Sequence, residues 1–303
     1  MQTQWGEFPV RDAHVHFFSH KFFSTLGAMK GAPDLDVPHA LGWEPPDRDP
    51  VKFAERWVAE LDRHHVTSAA LIASVPGDED SVASAVSAFP TRFHGYFIAD
   101  PTAPDAAAHV EATLAKGLQG VCLFPAMHRY SMHDPKVHEV LATVARHPGA
   151  LVFVHCGILT VGFRRKLGLP SRFDMRYSNP IDLHAVVPEF PTLPFVIPHF
   201  GAGFFREALM VADLCPNVYF DTSSSNSWIR YLAPEPSLRE VFRRALDVAG
   251  PKRLLFGTDS SFFPRGWTPG ILEEQSRILY ELAVPTPDVA AILGGNLQHL
   301  LMR

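Results

Sequence analysis

Eight strand-length apolar runs, a helix-length amphipathic segment after each, and no linker or low-complexity break predict an α/β fold, a closed (β/α)8 TIM barrel forming one domain over residues 1–303. The runs are nearly continuous in apolar character. That is how a strand covered on both faces of a parallel sheet reads. An open doubly wound sheet is the alternative fold, but no G-x-G-x-x-G follows the first run and no Walker A pattern occurs anywhere.

In chain order the runs are Val10 to Phe18, Thr67 to Val75, Phe93 to Asp100, Gly120 to Ala126, Ala150 to Gly157, Pro194 to Gly201, Asn217 to Ser223 and Arg253 to Ser260. The first intervening helix, Val51 to His65, carries Phe53, Trp57, Val58 and Leu61 on one stripe. Asp80 to Phe89 is shorter and rich in Ala and Ser. Pro104 to Lys116 opens with proline and stops before Gly117, as helix ends often do. Asp134 to Arg146, Pro180 to Phe190, Phe204 to Leu214, Pro236 to Ala249 and Ile271 to Ala283 fill the remaining gaps. A last segment, Pro287 to Leu300, is broken by Gly294-Gly295 and is expected to cap the outside; Ser19 to Pro50 reads as a long loop.

Composition narrows the partners. With 47% hydrophobic residues, 19% charged and a formal charge of -5, the chain lacks the basic surface nucleic acid requires, so a small molecule is the expected partner. Cys122, Cys156 and Cys215 are far apart with no C-x-x-C pair, which suits a reducing compartment. No charged-then-apolar leader pattern and no apolar run of about 18 residues is present, so a cytoplasmic protein with no membrane association is expected.

The stretch Asp12-Ala13-His14-Val15-His16 stands out. Residues two apart on a strand share a face, so His14 and His16 project together, and two neutral imidazoles make half a metal site. Partners should lie at the ends of other strands, where a barrel gathers its functional groups. His155, His199 and Asp259 stand there, on the fifth, sixth and eighth runs. A lone histidine on an apolar run is more often a hydrogen-bonded core residue than a ligand. Several imidazoles and a carboxylate together in a barrel interior, however, would cost several kcal/mol unless paired or bound to metal. The fourth run, GVCLFPA, ends without Lys, Asp or Glu, so nothing there could bridge two metals. One divalent ion is expected, zinc first, with manganese, iron or cobalt as alternatives. Asp12 is expected on the face of the two histidines but deeper, and Cys156 on the opposite face, towards the helices. His128, His133 and His138 have only Asp134 near them and make a weak second site.

These residues resemble the amidohydrolase superfamily, and within it the amidohydrolase-2 branch of aminocarboxymuconate-semialdehyde decarboxylase-like enzymes. The matching pieces are DAHVHFF, LVFVHCG, FPTLPFVIPHFG, NVYFDTSS, RLLFGTDS and ILGGNLQHLL, in the family's order along nearly the whole chain. The resemblance implies that His14, His16, His155 and Asp259 bind a single metal and that His199 acts as an acid/base group. Asp259 is expected to act in catalysis as well, taking a proton from the attacking water and passing it to the leaving group. The leading expectation is a metal-dependent hydrolase using a metal-activated water. A non-oxidative decarboxylase or hydratase of the same fold is the alternative, and a barrel that binds metal without turnover is the third reading. Family members often self-associate, so the resemblance allows a homodimer, but no sequence feature fixes one.

The loops suggest the substrate. Arg164, Arg165, Arg172 and Arg176 crowd the segment after the fifth run, and Arg230 and Arg265 follow the seventh and eighth. A guanidinium over the barrel mouth can grip a carboxylate bidentately; the alternative for any one of these is a solvated loop side chain. Phe17, Phe18, Phe22, Phe23, Trp228, Phe262, Phe263 and Trp267 are expected near the same mouth. Among these, the four arginines of the fifth loop with Trp228 and Phe262 are the candidate substrate contacts. Aromatic walls with a few cations suit a small cyclic or aromatic carboxylate.

Overall fold

Continuous apolar runs pair with one another because only a sheet buried on both faces hides them from water. In the computed structural model, which describes every residue except Met1, Gln4, Thr160, Arg172, Ser224, Ser225 and Arg303, they form eight parallel strands. These are β1 (Val10–Phe17), β2 (Val66–Ala73), β3 (Phe93–Ala99), β4 (Gly120–Leu123), β5 (Leu151–Val154), β6 (Phe195–Ile197), β7 (Val218–Asp221) and β8 (Leu254–Leu255). Each pairs with the next in sequence. Backbone bonds beyond β8 close the ring onto β1: the Ala13 amide donates to Phe256 O at 2.8 Å, Asp259 to His14 O at 2.9 Å and His16 to Ser260 O at 2.7 Å. The TIM barrel expected from the runs is therefore the fold.

Helices cover the outside. Pro50–Arg63 starts at Asp49, whose carboxylate accepts from the Val51 amide, and buries Phe53, Trp57 and Leu61 against the strands. Fully buried rings such as Trp57 typically contribute about 3–5 kcal/mol each. Glu79–Ala88, Ala106–Leu114, Pro135–Val144, Phe205–Leu214, Leu238–Ala249 and Pro269–Glu281 complete the layer. Inside the barrel Tyr96, Ile98, Cys122, Phe153 and Val196 fill the lumen, so it is a packed core below the mouth. Cys156 faces the helix layer, as expected.

Four expectations need correction. Pro180 to Phe190 forms two 3-10 turns, Pro180–Ala185 and Val187–Glu189, because Pro188 has no amide for an α-helical ladder. The C-terminal segment, Thr286–Ala290 and Asn296–Leu301 joined by a π turn, does not cap the outside: Leu297, Leu300 and Leu301 enter the lumen cluster, and Gln119 Nε2 donates to Leu301 O at the N-terminal end of the strands. The long loop after β1 is folded into two helices, His20–Met29 and Val37–Leu41. Finally, a register shift between Asp12 and Val15 breaks the two-residue period of β1. Asp12 therefore turns away from the histidines to accept from Trp267 Nε1 at 2.8 Å, the Thr258 hydroxyl and the amides of His14 and Thr258. It staples β1 to β8.

Candidate metal centre

His14 and His16 lie at the C-terminal end of β1, and each ring is fixed through its Nδ1. His14 Nδ1 lies 2.6 Å from Asp221 Oδ2, a buried carboxylate at the end of β7 that can only accept. His16 Nδ1 lies 2.7 Å from Ser74 Oγ, whose own proton goes to Ile72 O at 3.0 Å. Both Nδ1 atoms must therefore carry the hydrogen, which leaves both Nε2 atoms as lone pairs. Those two nitrogens are 3.3 Å apart. Asp259 Oδ1 completes a triangle at 3.2 Å from His16 Nε2 and 3.6 Å from His14 Nε2.

Three acceptors around one point do not hold together unaided. A shared proton can satisfy one edge of the triangle, whereas a cation satisfies all three. Ligand bonds of about 2.0–2.1 Å in tetrahedral geometry place donor atoms about 3.3–3.4 Å apart, which is the spacing seen. The residues present thus fit a divalent ion, and His14, His16 and Asp259 form a candidate metal site.

Electrostatics agree. Burial alone would lower the pKa of His14, but the charge and hydrogen bond of Asp221 outweigh it and raise the value. The basicity that attracts a proton to Nε2 equally attracts a Lewis acid. Burial lowers the pKa of His16, leaving it neutral. For Asp259 burial pushes upward, yet the His16 hydrogen bond and the neighbouring imidazoles hold the carboxyl below its ordinary range, so it is ionised.

His199 sits in the turn after β6 with φ 54°, followed by Phe200 at φ 52° and Ala202 at φ 43°, all left-handed. Asp259 is left-handed too, at φ 58°. Such backbone costs about 1–3 kcal/mol per residue and persists where the surroundings impose it. Gly157 is part of that imposition: a Cβ there would meet Gly201 O at 2.1 Å, so the loops after β5 and β6 can touch only at a glycine. The Nδ1 of His199 donates to Ser223 O at 3.1 Å, leaving Nε2 free to exchange a proton. Burial, then the charge of His14, lowers its pKa, so it is neutral at pH 7.

His155 is buried nearby but stands outside the triangle. Its ring stacks on Phe124 at 5.3 Å, edge-on to His199 at 5.4 Å, so the strand-four position that lacks an acid supplies a packing ring. Burial and the charges of His199 and His14 hold its pKa well down.

Asp221 and Ser223 were not anticipated. Ser223 Oγ donates to Asp221 Oδ2 at 2.9 Å and lies 3.0 Å from the Nδ1 of both His14 and His199. The signal was present in NVYFDTSS, an acid at the end of the seventh run. Gly257 makes room for it, because a Cβ there would lie 2.6 Å from Asp221 Oδ1.

The proposed substrate contacts separate. Phe262 is at the mouth, stacked on Trp43 at 4.0 Å within a cluster that includes Phe18, Phe22, Phe23 and Phe163. Trp228 instead packs on Phe205 in the strand–helix layer, where Phe17, Phe263 and Trp267 also lie. Arg164 donates to Pro170 O and Arg176 forks onto Asp174, so both are engaged within their own loop; Arg165 is exposed, and Arg172 lies outside the described residues. Among the described residues no helix is long and apolar enough to cross a membrane.

The amidohydrolase family profile matches residues 12–300. Protein FluG of Emericella nidulans is 36% identical over 87 residues, a match that spans 29% of this chain and 10% of that protein. The structure of a 5-carboxyvanillate decarboxylase from Novosphingobium aromaticivorans, with bound manganese and 3-methoxy-4-hydroxy-5-nitrobenzoic acid, has a TM-score of 0.67 at 13% identity, covering 99% of this chain and 98% of that one. A probable 2-pyrone-4,6-dicarboxylic acid hydrolase from Acinetobacter baumannii, with citric acid bound, has a TM-score of 0.61 at 16% identity, covering 97% and 99%. At these identities the likeness concerns the fold.

Proposed function

This chain belongs to the amidohydrolase family, in its amidohydrolase-2 branch, and we propose that it is a mononuclear metal-dependent hydrolase of a small, carboxylate-bearing molecule. The observation that carries the proposal is the triangle of lone pairs on His14 Nε2, His16 Nε2 and Asp259 Oδ1. His14, His16 and Asp259 hold the ion, and His155, neutral and buried, is the fourth donor. Two or three imidazoles with one carboxylate suit zinc best, with manganese, iron and cobalt behind it.

When bound, such an ion supplies Lewis acidity, polarising a carbonyl and lowering the pKa of a coordinated water from about 16 to about 7. The remaining work falls to the chain. Asp221 and Ser74 hold the two β1 imidazoles in the tautomer that presents Nε2. Asp259 is partly open to the mouth, its side chain 37% exposed, and its second oxygen takes the proton that the attacking water loses and delivers it to the leaving group. His199, unprotonated at Nε2, takes up a proton there during the reaction and can then return it to the substrate. The Phe18, Trp43 and Phe262 rings exclude water from one side of the site.

The test is a panel of small cyclic and aromatic esters, lactones and amides bearing a carboxylate, offered to zinc-loaded protein before and after chelation. Metal-dependent hydrolysis of any member supports the proposal. Carbon dioxide release from an aromatic acid, without hydrolysis of the panel, would reassign the site to a non-oxidative decarboxylase. Firm metal retention with neither reaction would make it a barrel that binds without turnover.

A further inference from the structure

We propose that Arg265, on the loop after β8, is the residue that selects an anionic group on the substrate, gripping a carboxylate whose reactive end faces the His14–His16–Asp259 triangle. The inference rests on the site reading above and adds the specificity residue to it. Its first support is the seat of the guanidinium: Nη2 donates to Ser261 Oγ at 2.8 Å and to Asp259 O at 3.3 Å, and Cζ lies over the Phe262 ring, 4.5 Å from its centroid. The arginine is therefore tied to the backbone of a metal-site residue, and among the described residues Nε and Nη1 have no hydrogen-bond acceptor.

The second support is charge. Among the described residues no carboxylate lies within 4.0 Å of Arg265 to pair with it, whereas Arg176 has Asp174, Arg56 has Glu44 and Arg243 has Glu240 and Asp247. The carboxylate that acts on it is Asp259, and Asp259 Oδ1 is turned to the histidines. A guanidinium held at the rim without a counter-ion of its own is a ready partner for an incoming carboxylate. Arg164, by contrast, spends Nε and Nη2 on Pro170 O, and Arg230 rests on Tyr231.

The third support is rigidity. A continuous stack of rings runs from His16 to Phe18 (5.5 Å), to Trp43 (5.8 Å), to Phe262 (4.0 Å), and ends under the Arg265 guanidinium. It seats the exposed guanidinium on the same aromatic wall that carries His16. A substrate with one group at the triangle and a carboxylate at a set distance is what such a frame measures.

The experiment compares isophthalate with benzoate binding to zinc-loaded protein by calorimetry, since the second carboxylate is the group Arg265 should grip. Wild type should bind isophthalate about tenfold or more tighter than benzoate. R265M should erase that gap while zinc content and melting temperature stay at wild type, and R265K should retain part of it. A gap that survives in R265M, or no gap in wild type that does hold zinc, overturns this inference and leaves the metal-site reading standing. Protein that holds no zinc and shows no gap overturns both.

Discussion

His14 and His155 are both buried imidazoles at one barrel mouth, and their surroundings differ in kind. His14 Nδ1 is anchored by a buried carboxylate at 2.6 Å with a hydroxyl at 3.0 Å, while the His155 ring is held by Phe124 and His199, with no hydrogen bond to it among the described residues. The same contrast runs through the regions that carry them. On the side of β1, β7 and β8, Asp221, Ser223, His199 and Asp259 form one connected network. On the β5 side Arg176 is neutralised two residues away by Asp174, and Arg164 is held by a carbonyl of its own loop. A polar group in a low-dielectric site acquires a fixed direction only when a second group fixes it, and the first region has those second groups.

The sharpest break of this contrast is His199→Asn, which removes a proton carrier and touches none of the triangle atoms. The rate constant kcat should fall by about 10²–10⁴-fold with metal content unchanged by elemental analysis; loss of metal would mean His199 belongs to the ion instead. Next comes an acid, Asp78, that has hydrogen-bond donors but no ion pair within 4.0 Å among the described residues. Asp78 lies buried against Ser19 Oγ at 2.7 and 2.8 Å, and burial raises its pKa from 3.8 to about 6. Between those values the folded state binds the extra proton, so stability falls as pH rises from about 4 to 6, by about 3 kcal/mol in all. Asp78→Asn lacks this slope, and its advantage over wild type in urea melts should grow over that window; a constant difference would contradict the assignment.

Asp221→Asn should deprive His14 of the charged partner that fixes its ring and raises its basicity. Metal affinity in competition with a chelator should drop about 10–100-fold, with the barrel still folded by circular dichroism. Gly257→Ala should act in the same direction by crowding the Asp221 carboxylate, and normal affinity in both variants would separate Asp221 from the metal. At the other extreme, Arg176→Ala on the exposed β5 loop should leave melting temperature and metal affinity unchanged, because a solvated ion pair contributes little.

Sequence pattern reached far in one respect and stopped short in another. The strand ends that hold His14, His16, His199 and Asp259 were legible because buried parallel strands are continuous apolar runs and polar residues at their ends stand out. Asp221 stood at such an end as well, but its partner is 207 positions away, and nothing local announces that two strand ends will face each other. Asp12 was misplaced because a register shift is a property of two paired strands and leaves no trace in the period of one. Trp43 was passed over because it sits in a stretch without periodicity, and it became a wall of the site only once that stretch folded over Phe18 and Phe262. Loop arginines drew attention by their number, yet Arg164 and Arg176 are engaged by groups within their own loop.

The central claim is that three lone pairs converge on one ion, and anomalous diffraction at the zinc edge from zinc-loaded crystals tests it most directly. The account predicts a single peak about 2.0–2.2 Å from His14 Nε2, His16 Nε2 and an Asp259 oxygen. A peak elsewhere, or none in protein shown to contain zinc, would contradict it.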